Sequence, residues 1–276
     1  MKNSREAIRS RQNEIVNLLK SYDRLTVSEI ASFFKVSEPT IRRDLDYLDK
    51  HDMLRRSFGY ATAVEKDVPG NESSLIGGPA KINFGLLTNR YVSSTSLALA
   101  QATEQLIDDG DTVFINSSSS ALNLYRFLGK KHVLVVTNNL LVINEQLCAN
   151  TSLLLVGGSI TKVEHDTKLS LLGDVAIDTI SRITATKCIL GVSGISAEGG
   201  VTCTTMADIQ LNRAMMSQST GKKIILAAPY KIGRRFNYFN FDADKITDLV
   251  TGASADPKEI SALQELGVHV TLVEGI

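Results

Sequence analysis

Seven apolar runs punctuate the last two hundred residues, with helical patterns between most of them, and no other feature limits the fold as tightly. The runs fall at 112–115, 133–136, 153–156, 188–192, 224–227, 246–250 and 268–273. Helical stretches are predicted at 121–128, 140–148, 206–217 and 257–266. Another runs through Leu97, Ala98, Ala100, Ala102 and Leu106 and stops at Asp109-Gly110-Asp111. A strand buried on both faces reads as an unbroken apolar run, because neither face meets water. Such strands separated by helices predict a mostly parallel sheet covered on both sides. In these sheets ligands bind at the C-terminal strand ends, in loops that lead into helices.

Several loops fit that rule. Asn116-Ser117-Ser118-Ser119-Ser120 follows one run and precedes a helical stretch, so hydroxyls and free backbone N–H groups there could hold an anion. The helix expected from Ala121 would aim its positive end at such a ligand. Gly157-Gly158 follows another run, and Gly191-Val192-Ser193-Gly194 and Gly199-Gly200 come later. Glycine permits close backbone approach, although each pair taken alone is also what an ordinary turn contains. One parallel sheet would deliver all four segments to the same edge, with Lys231 supplying a positive charge.

The first sixty residues follow a different pattern. Ile8, Ile15, Leu18 and Leu19 mark one helix. Thr26 with Glu29 forms a capping box for a second, which carries Val27, Ile30, Ala31 and Phe34. Lys35-Val36 makes a tight turn, and Ser37 is a good N-cap for a third helix with Pro39 in its first turn. On that helix Ile41, Leu45 and Leu48 fall at i, i+4 and i+7 and face the core. Thr40, Arg42, Arg43 and Tyr47 lie on the other faces. Helix, short turn and helix with early basic residues is the helix-turn-helix arrangement, whose second helix enters the major groove N-terminus first. A hairpin turning near Gly59 follows, and its Arg55 and Arg56 could reach phosphates or an adjacent minor groove.

Charge agrees with this division. Residues 1–64 hold 12 Lys and Arg against 9 Asp and Glu, whereas residues 65–276 hold 18 against 21. Phosphate attraction is therefore confined to the head. The segment 65–83 is rich in Gly, Pro, Ser and charge, so we expect a DNA-binding domain over 1–64, a linker over 65–83 and an α/β domain over 84–276. Cys148, Cys188 and Cys203 are odd in number and widely spaced, which argues against disulfides and zinc and suits a reducing cytoplasm. His132, His269 and His165 have no visible metal partners, and no apolar stretch approaches membrane-spanning length. Neither metal nor cofactor is expected.

The strings Leu25-Thr26-Val27-Ser28-Glu29-Ile30-Ala31 and Thr40-Ile41-Arg42-Arg43-Asp44-Leu45 closely resemble the head of the DeoR family of bacterial repressors. Downstream, the order IDDGDTVFINSSSSA, VVTNN, LLLVGGSI, LLGDVAID, ILGVSGISAEGGVT, NRAMM and Lys231-Ile232-Gly233-Arg234-Arg235 is similar to that family's sensor domain. The resemblance implies a two-domain α+β protein. Its head is a winged helix-turn-helix, and its C-terminal α/β domain is similar in fold to ribose-phosphate isomerase and glucosamine-phosphate deaminase. It also implies that the sensor domain recognises phosphorylated sugars. Thr26, Ser37, Glu38, Thr40, Arg42, Arg43, Tyr47, Arg55 and Arg56 are expected near double-stranded DNA, and Asp44 is expected to orient a neighbouring arginine or lysine. Asn116, Ser117, Ser118, Ser119, Ser120, Thr137, Asn138, Gly157, Gly158, Gly191, Gly194 and Lys231 are expected near an effector.

Departures from the family pattern sharpen the reading. Asn116 stands where Asp is usual, Gln210 where Glu is usual, Ala228 where Asp is usual, and Thr95-Ser96 in place of Lys-Arg. In the wing, Phe58-Gly59-Tyr60-Ala61 replaces His-Gly-Gly-Ala. With three acids neutral, the carboxylate general bases of enzyme relatives are missing. The sequence thus points to a regulator of a carbohydrate operon that responds to a small anionic metabolite such as a phosphorylated sugar. Rival readings are a sensor domain that binds no sugar phosphate, and an isomerase-like enzyme. Single heads bury little DNA, so the α/β domain is expected to form a homo-oligomer, either dimer or tetramer.

Overall fold

The computed structural model describes residues 5–21, 25–34, 36–51, 53–57, 60–63, 94–145, 148–162 and 169–276. The chain divides into two compact units, 1–93 and 94–276. The expected linker 65–83 and the wing tip at Phe58 and Gly59 lie outside the described residues.

The first unit runs α1 (Arg5–Ser21), β1 (Leu25–Thr26), α2 (Val27–Phe34), α3 (Glu38–Lys50), β2 (Leu54–Ser57) and β3 (Tyr60–Ala63). The three strands form one antiparallel sheet in the order β1-β3-β2, which is the wing. Its core collects Ile15 and Leu19 from α1, Ile30 and Ala31 from α2, and Ile41, Leu45 and Leu48 from α3, closed by Leu54 and Ala61 of the wing. The i, i+4, i+7 apolar face of α3 is therefore the buried one, and Arg42, Arg43, Asp46 and Tyr47 are left exposed.

The second unit begins with α4 (Ser94–Glu104), β4 (Thr112–Ile115), α5 (Ser119–Leu122), β5 (Val133–Thr137), β6 (Thr151–Leu155), β7 (Ser159–Lys162), β8 (Leu169–Leu172) and α6 (Asp174–Ser181). It continues with β9 (Ala185–Gly191), β10 (Gly194–Ser196), β11 (Gly200–Cys203), α7 (Ile209–Ser217), β12 (Ser219–Leu226), β13 (Tyr238–Phe241), β14 (Asp248–Gly252), α8 (Pro257–Glu265) and β15 (His269–Val273). Seven strands form one sheet in the order β15-β14-β12-β9-β4-β5-β6. All of its pairings are parallel. Phe114, Cys188, Leu190, Ile225 and Leu249 share one core with residues of α6, α7 and α8. The alternate residues Val113, Ile115, Ile189, Ile224 and Val250 are fully buried too, so both faces are covered. The seven expected strands are all present.

Three expectations need correction. The segment 121–128 is not one helix: α5 ends at Leu122, and 3₁₀ turns follow at Asn123–Arg126 and Leu128–Lys130. Ala121, Leu122, Leu124, Tyr125 and Leu128 are all buried, so the segment has no solvent stripe of helical period. Likewise 140–148 contains a 3₁₀ turn, Leu140–Asn144, opened by the Asn139 side chain, which accepts from the Leu141 N–H. The 206–217 helix starts only at Ile209, leaving Met206 exposed. Two small antiparallel sheets, β7-β8 and β10-β11-β13, carry no apolar run long enough to predict them.

Candidate functional site

In the head, α3 places its polar residues by the same periodicity that buries Ile41, Leu45 and Leu48. Ser37 stands at the N-cap in extended conformation, and its carbonyl accepts from the Thr40 and Ile41 N–H groups. Its hydroxyl does not cap the helix but lies 2.9 Å from the Thr40 hydroxyl. Arg42 donates to Glu38 one turn back at 3.1 Å, and Arg43 is exposed beside it. Tyr47 stacks on His51 with ring centroids 4.1 Å apart. Arg56 pairs with Asp46, and its backbone N–H donates to Asp49, so β2 is fastened to α3. Arg55 is exposed on the same strand. Thr26 lies in β1 opposite Tyr60.

Asp44 holds an arginine, as expected, but one from another helix. It is buried, accepts from Arg11 Nε at 2.6 Å and from Gln12 Nε2 at 3.0 Å, and so ties α3 to α1. Its arginine lies 33 positions away, not beside it in α3, which is why sequence spacing missed the pair.

In the α/β domain the strand order supplies a landmark that the sequence did not. From β4 the chain lays β5 and β6 to one side, then crosses to place β9, β12, β14 and β15 on the other. The order reverses between β4 and β9, and in open parallel sheets the crevice at such a reversal is where ligands sit. The loops leaving these two strands are 116–118 and 192–193, the second bounded by Gly191, the last residue of β9, and Gly194, the first of β10. Asn116 spans them: its Nδ2 donates to the Gly191 carbonyl at 2.9 Å, and its Oδ1 accepts from the Gly191 N–H at 3.0 Å. The same Oδ1 accepts from the Ser118 N–H at 3.3 Å. A Cβ on Gly191 would stand 2.0 Å from Ser118 Oγ, so the two loops touch only because residue 191 is glycine.

Further hydroxyls and amides brace this edge. Ser117 Oγ accepts from Ser170 of β8 at 2.8 Å and from Asn138 Nδ2 at 3.4 Å. Thr137 donates to the Ile115 carbonyl and accepts from the Asn139 N–H. Ser118 Oγ accepts from the Ala121 N–H and caps α5. That helix is a single turn, so the expected dipole toward a ligand is not built. Ser119 is half-buried and Ser120 buried. Two acceptors close by are buried without a partner, Asn138 Oδ1 and Asn123 Oδ1. Burial also pushes the Tyr125 phenol well above its ordinary range, opposed by Thr137.

The remaining expected residues, Gly157, Gly158, Gly194 and Lys231, follow strands of the same sheet but are not among the residues bonded to the Asn116 carboxamide. Gly158 has φ +124 and presses on the Leu172 carbonyl at the end of β8, and Gly157 approaches Val175 of α6. Gly194 backs onto the 234–236 strap, where a Cβ would meet the Arg234 carbonyl at 2.5 Å. Lys231, half-buried in the 3₁₀ turn Pro229–Lys231 after β12, lies 5.8 Å from the Tyr230 ring centroid. Gly199 and Gly200 sit in the β10–β11 turn, not at an end of the parallel sheet, which corrects the fourth loop. Sequence reading missed Asn212, whose Oδ1 accepts from Asn116 at 3.2 Å, and Ser170. Their contacts span 96 and 53 positions and leave no local signal.

Charge gathers instead at the N-terminal strand ends. Lys187 is buried and donates to Asp108 and Asp111. Burial opposes ionisation of Asp111, but Lys187 and Thr186 hold its carboxyl below the usual range; the same two carboxylates outweigh burial and raise Lys187. Burial pushes the Cys188 thiol up to about 12, so it is an inert core residue. Among the described residues no cluster of His, Cys, Asp and Glu could hold a metal ion, and no helix is long and apolar enough to cross a membrane.

A wing packed on a helix-turn-helix, followed by a parallel α/β domain whose strand order reverses beside a cluster of buried amides and hydroxyls, defines a DNA-binding regulator with a separate sensor domain. Residues 94–253 match the family model of the DeoR C-terminal sensor domain, and residues 11–67 match that of the DeoR-like helix-turn-helix domain. The chain belongs to the DeoR family of transcriptional regulators. It is 25% identical over 269 residues to an uncharacterised HTH-type transcriptional regulator, YulB, of Bacillus subtilis, covering 96% of this chain and 97% of that one. It is 25% identical to a putative aga operon transcriptional repressor of Escherichia coli O157:H7, over 95% of this chain and 93% of that one. HTH-type regulator GolR of Listeria innocua is 26% identical over 96% of this chain and 98% of its own length. These relatives are named as regulators and not as enzymes. Among solved structures, ribose 5-phosphate isomerase A of Methanocaldococcus jannaschii aligns with TM-score 0.35 at 11% identity, over 50% of this chain and 53% of that one.

Proposed function

We propose that this chain is a cytoplasmic, homo-oligomeric repressor of a carbohydrate-use operon, released from or tightened on its double-stranded operator by a small anionic metabolite of the phosphorylated-sugar class. The head, residues 1–64, grips DNA through α3, with Ser37, Glu38, Thr40, Arg42, Arg43 and Tyr47 toward the major groove. Thr26, Arg55 and Arg56 lie toward the backbone. Arginine can read guanine through O6 and N7, and the exposed pair Arg42 and Arg43 supplies that chemistry. Residues 65–83 link the head to the effector-sensing and oligomerisation domain, 84–276.

The observation that carries the effector reading is the strand-order reversal between β4 and β9, where Asn116, the serines 117–120, Thr137, Asn138 and Gly191 converge. Gly157, Gly158, Gly194 and Lys231 border the same C-terminal side of the sheet and complete the proposed surface. The name of the aga relative, an operon repressor, supports repression as the output.

One observation favours a second reading, a sensor domain that binds no sugar phosphate. The N–H groups of Gly191 and Ser118, natural donors to an anion, are both already bonded to Asn116. Thermal shift of the full chain against pentose and hexose phosphates separates the two. Stabilisation by one member, lost in Ser119→Glu, supports the effector reading. Ser119 is the better probe than Ser118, whose side chain is wedged against Gly191. No shift with any member favours the second reading.

A further inference from the structure

We propose that Asn116 and Asn212 form an uncharged clasp across the crevice between β4 and β9, and that Asn116 is the positioning residue of that edge. All four hydrogen-bonding valences of the Asn116 carboxamide are used: two donors reach Gly191 O and Asn212 Oδ1, and two acceptor contacts come from the N–H groups of Gly191 and Ser118. Asn116 is 4% exposed and Asn212 5%, so both amides are largely shut off from bulk solvent. The carboxamide joins three separate pieces of chain: the serine turn after β4, the glycine loop after β9, and the α7 helix. Removing it would leave Gly191 and Ser118 with no fixed separation.

The polarity of the clasp decides what can replace it. Its nitrogen side faces two acceptors, at 2.9 and 3.2 Å. A carboxylate at 116 would keep the bonds from Gly191 N–H and Ser118 N–H but set its second oxygen against Gly191 O and Asn212 Oδ1. Such a group is disfavoured by the Gly191 carbonyl unless it holds a proton or residue 212 supplies a donor to it, most strongly a cationic one. The groups facing position 116 from the serine turn, the glycine loop and α7 are Ser118, Gly191 and Asn212, none of them titratable. The charged groups of α7 are engaged elsewhere: Arg213 donates to the Asn240 and Phe239 carbonyls, and Asp208 at the N-cap accepts from Thr205. The crevice floor is therefore neutral, and countercharge for an anionic effector comes from outside the clasp. This inference deepens the effector reading but is tested without any ligand, so either can fail alone.

The experiment follows thermal unfolding of the full chain as parent, N116D, N116D/N212K and N116D/N212H, each at pH 5 and pH 8. At pH 8 N116D should melt about 10 °C below the parent, as expected for a buried, repelled carboxylate in a domain of this size. At pH 5 the proton returns and donates to the opposing acceptors, so at least half of that loss should disappear; the parent should show no matching step. At pH 8 at least one double variant should recover most of the loss, because the cation replaces the amide oxygen that repels the carboxylate. A pH-independent loss in N116D, or no recovery in either double variant, would overturn the clasp. A merely space-filling Asn116 would still give the pH dependence, because any buried carboxylate favours its protonated form, but it would not give the rescue from position 212.

Discussion

On the outward face of α3 the head presents Arg42, Arg43, Asp46 and Glu38, all charged and reachable by solvent, while the buried ion pair Arg11–Asp44 holds two helices together. The α/β domain inverts that arrangement. At its C-terminal strand edge stand buried amides and hydroxyls: Asn116 is bonded to Asn212, Asn138 to Ser117, and Thr137 to the Ile115 carbonyl. Its buried charges, Lys187 with Asp111 and Asp248 beside Lys222, lie at the opposite end of the sheet. A surface that meets polyanionic DNA gains from exposed charge, which releases counterions. A crevice that must hold one shape gains from neutral bonds that specify direction without the desolvation cost of an ion.

The contrast can be broken first at its buried charges. Lys187→Met leaves Asp111 uncompensated, and Asp44→Ala does the same to the largely buried Arg11. Each should cost about 3–5 kcal/mol in urea unfolding of the domain concerned. A loss under 1 kcal/mol in either would show that the pair is not a structural support. Next in size, Arg42→Ala and Arg43→Ala should each weaken operator binding by about 1–3 kcal/mol, and neither should move stability by more than about 0.5 kcal/mol. Unchanged affinity in both would remove α3 from the DNA. Gly191→Ala drives a Cβ into Ser118 and should cost about 1–3 kcal/mol of sensor-domain stability, measured by the same unfolding. Wild-type stability would mean that the two loops are not held in contact.

The smallest effect is a pH slope. The folded Asp111 carboxyl lies below its ordinary value, so its contribution is present above about pH 4 and is lost as pH falls through the depressed folded value. Lys187 is raised, so its share persists below about pH 10 and fades only as pH rises past the folded value. Acid unfolding of Lys187→Met should therefore fall less steeply below pH 4 than that of the parent. Equal slopes would separate Asp111 from Lys187.

How far these features could be read from sequence follows the same divide. The head is built from local contacts, so the 3.6-residue period of Ile41, Leu45 and Leu48 identified both the buried and the exposed face of α3. The parallel strands were legible because burial on both faces makes each an unbroken apolar run. Strand order was not, since nothing local in β4 or β9 states that they are neighbours. The reversal point is therefore not legible in the sequence, although Asn116, the serines 117–120, Thr137, Asn138 and Gly191, which gather there, are. The same limit explains Asn212 and Arg11, whose partners lie 96 and 33 positions away. The short helices failed for another reason: within 121–128 only Arg126 is exposed, and a single exposed residue gives no amphipathic period to read.

The most direct test of the whole account is a fluorescence-anisotropy titration of the full chain against DNA from upstream of its own operon, with and without each pentose and hexose phosphate. The account predicts saturable binding that unrelated DNA of equal length does not compete away. One sugar phosphate should shift that affinity by about 5- to 150-fold, and Ser119→Glu should bind the same DNA without responding. Equal affinity for all sequences, or an operator affinity that no phosphorylated sugar moves, would contradict it.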